Sequence, residues 1–141
     1  MKHLETCALI ESIWYRGSTT KSLTRPYIWL TKNIKMAEIY ASLNKSAYGG
    51  IDTVKEFDIN LKGKNVYDLS MYDMDEEVNE SECEDFLRDI DEEYDVTTLF
   101  DIMEDKIPLS RLLNSILDNL MLKYDALKVK ESGVLTLCIN L

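Results

Sequence analysis

The stretch Trp14-Tyr15-Arg16-Gly17-Ser18-Thr19 and the aromatic run Tyr27-Ile28-Trp29-Leu30-Thr31 decide the fold class of this chain. An apolar segment, either a strand or the end of a helix, leads into Arg16, and residues 17–20 are predicted to form a loop. The second run is rich in aromatic and branched residues, which indicates a strand beginning after Pro26. The sequence thus places a cation, an exposed backbone and a hydroxyl residue beside an aromatic surface, a combination typical of a pocket for a phosphorylated, ring-bearing ligand.

The rest of the chain alternates between helical and strand patterns. Seven apolar residues in the stretch 108–122 form a stripe wide enough to be buried, and Ser132-Gly133 indicates a hairpin turn. The predicted elements are a helix over 33–44 capped by Asn33, a strand over 52–61, a short extended piece over 66–69, helices over 79–90, 99–103 and 108–122, and strands over 126–129 and 134–139. This order predicts an α+β fold in a single domain spanning residues 1–141.

Composition narrows the class of protein. Hydrophobic residues make up 45% of the chain and charged residues 30%, as in an ordinary soluble protein. We expect a cytoplasmic protein without a membrane partner, because the chain has neither a long apolar run nor a recognisable secretory signal.

The three cysteines, Cys7, Cys83 and Cys138, are far apart, and His3 is the one histidine. Disulfides, a metal site and a Ser-His-Asp triad are therefore not expected.

The negative charge is concentrated in one acidic segment, residues 68–105. This segment has 17 acidic residues and one base, Arg88, whereas residues 1–67 and 106–141 have net charges of +4 and +2. Direct binding of nucleic acid is disfavoured, since it depends on Lys and Arg at the phosphates. The same charge is compatible with docking on a basic protein, including a nucleic-acid-binding one. A solvated segment that keeps the protein soluble is the simpler alternative.

Three motifs resemble those of the ADP-ribosyltransferase-like superfamily, and together they cover most of the chain. Tyr15-Arg16-Gly17-Ser18 is similar to its first-strand signature, an aromatic residue, Arg or His, Gly, and Ser or Thr. Trp29-Leu30-Thr31 followed by Ala37-Glu38-Ile39-Tyr40-Ala41 resembles the second strand and next helix of many bacterial and phage members. Residues 122–127 and 136–139 resemble the closing hairpin. The size and layout are also similar to those of small phage-encoded members, including anti-CRISPR types.

The resemblance implies a split β-sheet core with flanking helices, an acidic helical insertion over 68–105, and NAD as the bound ligand. The cofactor-binding residues that it implies are Arg16, Gly17, Ser18, Thr31 and Tyr40, with Trp29 as an alternative ring platform. It further implies that Gly17 lets the nicotinamide amide approach the backbone closely. Judged by pattern alone, Trp29 and Tyr40 are ordinary core aromatics, and Thr31 ends its strand and caps a helix.

The catalytic acid departs from the pattern of the superfamily. Many members place a Glu near the C-terminus in a Glu-x-Glu or Gln-x-Glu pair, whereas Val129 lies two residues before Glu131 here. The catalytic candidates that remain are Glu131 and Asp125, with Glu104 and Asp105 as alternatives from the acidic segment. Glu131 also fits an ordinary solvated turn residue.

Two functions follow as expectations. The first is an NAD-dependent ADP-ribosyltransferase that modifies a protein target, as an effector of a phage or mobile element. The second is a catalytically inactive protein on the same scaffold that docks a basic partner through the acidic segment. A toxin or antitoxin component overlaps with the first.

Overall fold

The computed structural model describes residues 12–19 and 26–140. Its elements are β1 (Ile13–Thr19), β2 (Tyr27–Thr31), α1 (Ile34–Tyr48), β3 (Asp52–Asp58), β4 (Val66–Asp73), β5 (Glu77–Val78), α2 (Glu80–Asp89), a 3₁₀ turn (Val96–Leu99), β6 (Ile107–Pro108), α3 (Leu109–Lys123), β7 (Ala126–Glu131) and β8 (Val134–Asn140). The predicted α+β class is confirmed. Within these described residues, no helix has the length and apolar character to cross a membrane. The expectations for His3, Cys7 and Thr20 lie outside them.

Six strands form one mixed sheet in the order β3-β1-β2-β8-β7-β4. β4 and β7 run parallel, and the other neighbouring strands run antiparallel. The predicted β7–β8 hairpin is confirmed, with Ser132 and Gly133 at φ values of 49° and 80°. Positive φ at both positions is the geometry of the two-residue turns that best match the twist of a hairpin. A second, two-stranded sheet pairs β5 with β6.

The main sheet opens between β1 and β2. β1 pairs with β3 along its whole length, from Ile13 opposite Asp58 to Thr19 opposite Asp52. Among the described residues, β1 pairs with β2 only where Tyr15 lies opposite Thr31. Residues 16–19 and 27–30 therefore border a gap in the sheet. The prediction of a loop is wrong for residues 17–19, because pairing with β3 keeps them in the strand.

Helix α1 packs directly against β1 because both elements present small residues at the contact. A Cβ atom built on Gly17 would lie 1.6 Å from the carbonyl oxygen of Ala37 and 2.7 Å from the backbone nitrogen of Ala41. Ala37 and Ala41 are fully buried, whereas Ile39 and Leu43 remain 57% and 60% exposed. The helix thus buries its alanines and leaves these two larger apolar residues exposed to solvent. The predicted Asn33 cap is confirmed, since its side chain accepts from the backbone N–H groups of Lys35 and Met36.

Helix α3 supplies the main core on one side of the sheet. Its predicted apolar stripe is confirmed, and every member is buried: Leu109, Leu112, Leu113, Ile116, Leu117, Leu120 and Met121. The stripe packs with Leu127 and Val129 of β7. Ile28 and Leu30 of β2 join a second core cluster. Tyr27 of the same strand belongs to the first cluster, so side chains that alternate along β2 enter different clusters.

The acidic segment is built into the fold rather than inserted as a separate piece. It begins inside β4, at Asp68, and continues through α2. The predicted capping box is confirmed, because Asn79 and Glu82 exchange side-chain and backbone hydrogen bonds.

The prediction of a helix over 99–103 is wrong: the 3₁₀ turn ends at Leu99, and Ile102 and Met103 are exposed beyond it. The predicted strand over 52–61 ends earlier, at Asp58.

Candidate functional site

A cleft of about 370 Å³ lies where the main sheet opens. It is lined by residues of β1, β2, α1, α3, β7 and β8, and its aromatic lining consists of Tyr27, Trp29, Tyr40 and Tyr48. A cavity of this volume with aromatic walls and a few polar groups is typical of a small-molecule site.

Four of the predicted site residues line this cleft together. Arg16 and Gly17 come from β1, Tyr40 comes from α1, and Glu131 comes from the last position of β7. These residues are distant in sequence, and the order of strands in the sheet brings them together. Trp29, the alternative ring platform, lines the same cleft.

Among the described residues that line the cleft, Arg16 is the one with a basic side chain. The side chain is partly exposed, and within residues 12–19 and 26–140 no carboxylate forms an ion pair with it. Its planar guanidinium therefore has donors available for an anionic ligand, and two parallel hydrogen bonds to a phosphate or carboxylate are its preferred geometry.

Tyr40 and Glu131 form a hydrogen-bonded pair in the cleft. The Tyr40 hydroxyl donates to Oε2 of Glu131. Burial, followed by the hydrogen bond from Tyr40 to Glu131 and the negative charges of Glu131 and Asp75, raises the pKa of Tyr40 well above its ordinary value. The phenol therefore stays protonated at neutral pH and remains a donor. The bond holds the carboxylate of Glu131 in one place.

Three other predicted site residues form hydrogen bonds that stabilise the scaffold. The Ser18 hydroxyl bonds that of Thr53 on β3 at 3.2 Å. Thr31 is buried, and its Oγ1 accepts the backbone N–H of Asn33 at 3.2 Å, at the start of α1. Asp125 accepts the backbone N–H of Asn65 at 2.7 Å, at the opposite end of β7 from Glu131.

Gly17 has a structural reason to lack a side chain. The position of its missing Cβ is occupied by the backbone of α1. Its carbonyl oxygen accepts a hydrogen bond from Nδ2 of Asn44 at 3.3 Å, which ties the cleft edge to the helix. The space left by the absent side chain thus belongs to the helix, whereas the resemblance implied that it admits the ligand.

Sequence reasoning missed four of the polar and flexible residues in the lining: Asn44, Tyr48, Met74 and Asn114. Asn44 and Tyr48 could have been predicted from the sequence, because Tyr40, Asn44 and Tyr48 follow one another at intervals of four residues. That spacing places side chains on one face of a helix. Met74 and Asn114 carry no comparable signal, since their position depends on how β4 and α3 pack.

The alternative acid Glu104 has other partners. Its two carboxylate oxygens lie 3.0 and 3.1 Å from Nη1 of Arg111, and its Oε1 also accepts the backbone N–H of Asp101.

Among the described residues, no group of three or more His, Cys, Asp or Glu side chains is arranged to hold a metal ion. The chain matches no family model, no curated protein and no solved structure.

Proposed function

We propose that this protein is an NAD-dependent ADP-ribosyltransferase that modifies a protein target, as an effector of a phage or mobile element. The observation that carries the proposal is the convergence of Arg16, Tyr40 and Glu131 in one aromatic-lined cleft. It supplies a cation, a ring-binding surface and a fixed carboxylate, which are the groups that binding and cleavage of NAD require.

Binding would divide the cleft into a phosphate-binding and a ring-binding part. Arg16 would hold a phosphate or ribose oxygen through charge-assisted hydrogen bonds. Trp29 and Tyr48 would offer aromatic surfaces to the planar rings. Both line the cleft beside Arg16, so one extended ligand with a charged centre and an aromatic end fits the lining.

When NAD is bound, it supplies a glycosidic bond between ribose and a positively charged nicotinamide, which is a good leaving group. Cleavage of that bond would leave the electron pair with nicotinamide and would develop positive charge on the ribose. The carboxylate of Glu131 is the group that would stabilise this charge, and Tyr40 would keep it oriented. A nucleophilic side chain of the target protein would then bond to the ribose carbon and release its proton to solvent.

Replacing Arg16 by alanine should weaken NAD binding roughly ten- to hundredfold, because a hydrogen bond to a charged group is worth about 1.5–3 kcal/mol. Isothermal titration calorimetry measures the affinity. Arg88→Ala is the matched control, since Arg88 is an exposed arginine on α2 that pairs with Asp85. An unchanged affinity in Arg16→Ala would remove Arg16 from the site.

The activity itself is tested with labelled NAD and lysates of candidate host cells. Label should transfer to a protein, or free nicotinamide should appear. Absence of transfer, of hydrolysis and of NAD binding by the intact protein would refute the proposal.

A second function is favoured by the exposure of the acidic segment. Glu80, Glu84 and Asp85 on α2 are exposed carboxylates within a segment of net charge −16. A catalytically inactive protein would use them to dock a basic partner, such as a nucleic-acid-binding protein.

Changing these three residues to Gln, Gln and Asn should then lower the affinity for a captured basic partner. Binding by the unchanged protein should also weaken as salt rises from about 0.05 to 0.5 M, because salt screens exposed charges. The capping-box residue Glu82 is left intact so that α2 keeps its N-terminus. Binding that is insensitive to salt would argue against this function.

A further inference from the structure

The position of Glu131 depends on the turn that follows it. Glu131 is the last residue of β7, and the chain reverses at once through Ser132 and Gly133. Ser132 has a φ of 49°, a conformation that costs energy for a residue with a side chain. A turn of this kind is better fixed when groups outside the hairpin bind its backbone.

Asp73, the last residue of β4, binds that backbone with both carboxylate oxygens. Oδ1 accepts the N–H of Ser132 at 3.1 Å, and Oδ2 accepts the N–H of Gly133 at 2.7 Å. Burial of the carboxyl group opposes ionisation. The backbone N–H bonds from Asp75, Gly133 and Ser132 and the charge of Lys130 outweigh it, so the pKa of Asp73 lies below its ordinary value. The side chain is therefore an anion at neutral pH, which strengthens both bonds.

Neighbours of Asp73 add to the same attachment. The backbone N–H of Met74 donates to the carbonyl of Lys130 at 2.7 Å, directly before Glu131. Asp75 accepts the hydroxyl of Ser132 at 2.8 Å. Residues 73–75 thus bind the chain on both sides of Glu131, while the side chain of Glu131 reaches Tyr40 in the cleft.

We propose that Asp73 is a positioning residue, which fixes the carboxylate of Glu131 against Tyr40 by holding the Ser132-Gly133 turn. This inference rests on the proposed function for its effect on catalysis, whereas its effect on geometry stands apart from it. It also gives the first part of the acidic segment a role other than docking.

The test is Asp73→Asn, which keeps the size of the side chain but replaces one accepting oxygen by an NH₂ group that cannot accept. We expect the kcat for NAD cleavage to fall roughly ten- to hundredfold with the KM for NAD nearly unchanged, because small misplacement of a reacting group has effects of that order. Asp68→Asn is the matched control, since that carboxylate of β4 also accepts a backbone N–H, from Ser70 at 2.9 Å, and makes none of the turn contacts described above. It should change kcat much less.

A second readout does not depend on activity. The ¹³Cζ chemical shift of Tyr40, assigned with Tyr40→Phe, reports the hydrogen bond of its hydroxyl to Glu131. Asp73→Asn should move this signal toward its position in Glu131→Ala. If the signal moves and the intact protein does not cleave NAD, the positioning is supported and the proposed function fails. If the signal stays in place, the positioning is refuted, whatever happens to kcat or to the melting temperature.

Should Asp73→Asn not fold, Asp73→Glu takes its place. It keeps the charge and both accepting oxygens but lengthens the side chain by one methylene group, so the turn must shift. The same movement of the Tyr40 signal is expected, and an unchanged signal again refutes the positioning.

Discussion

Replacing Gly17 by alanine should destabilise the protein by about 3 kcal/mol or more, at the upper end of the effects of overpacking. The added methyl group would lie 1.6 Å from the carbonyl oxygen of Ala37. The obstacle is backbone rather than the end of a flexible side chain, so β1 and α1 must separate. Since both elements line the cleft, the same substitution should also weaken ligand binding.

Urea denaturation measures the free energy of unfolding for this variant. Gly63→Ala is the control, because Gly63 has a φ of 77° and no atom within 4 Å of an added Cβ. The Gly63→Ala substitution introduces backbone strain without a clash, so it should lower the free energy of unfolding by about 1 kcal/mol. If the two substitutions lowered the free energy of unfolding equally, α1 would not approach β1 as closely as described.

Replacing Glu131 by glutamine should lower the kcat for NAD cleavage by about 10²–10³-fold, the effect of removing one electrostatic stabiliser of a transition state. Glutamine keeps the size of the side chain and an oxygen that can accept from the Tyr40 hydroxyl. The substitution therefore removes the charge and leaves the pairing of the two side chains in place. The affinity for NAD should change little, because Arg16 and the aromatic lining remain.

Single-turnover kinetics with labelled NAD separate the chemical step from binding in this experiment. Glu84→Gln, a change of the same kind at an exposed position of α2, is the control and should leave kcat unaltered. A Glu131→Gln protein with nearly full kcat would show that another group acts as the acid. Glu104 would be the next residue to replace, and its pairing with Arg111 would have to break for it to act.

Local patterns predicted the elements whose formation depends on neighbours in sequence. The caps at Asn33 and Asn79, the hairpin turn at Ser132 and the buried stripe of α3 all formed as expected. Each rests on hydrogen bonds or spacing within a few residues, which a single sequence displays directly.

The predictions of secondary structure and burial failed where contacts between residues distant in sequence outweigh the local preference for a loop or for burial of large apolar side chains. Residues 17–19 have the composition of a loop, but pairing with β3 keeps them in a strand. Helix α1 has large apolar residues at helical spacing, yet it buries Ala37 and Ala41, because Gly17 admits the helix only at a small-residue face.

The candidate site shows the same division. The sequence by itself determined which residue types were available: one arginine before a glycine, an aromatic surface and a single carboxylate near the final turn. Only the tertiary structure decided that Arg16, Tyr40 and Glu131 share a cleft, while Ser18, Thr31 and Asp125 bind scaffold groups. The physical reason is that, in the described part of the chain, β1 and β2 pair only at Tyr15 and Thr31 and then part, which opens the cleft. Strand pairing of this kind is set by the packing of the whole sheet, and no short stretch of sequence encodes it.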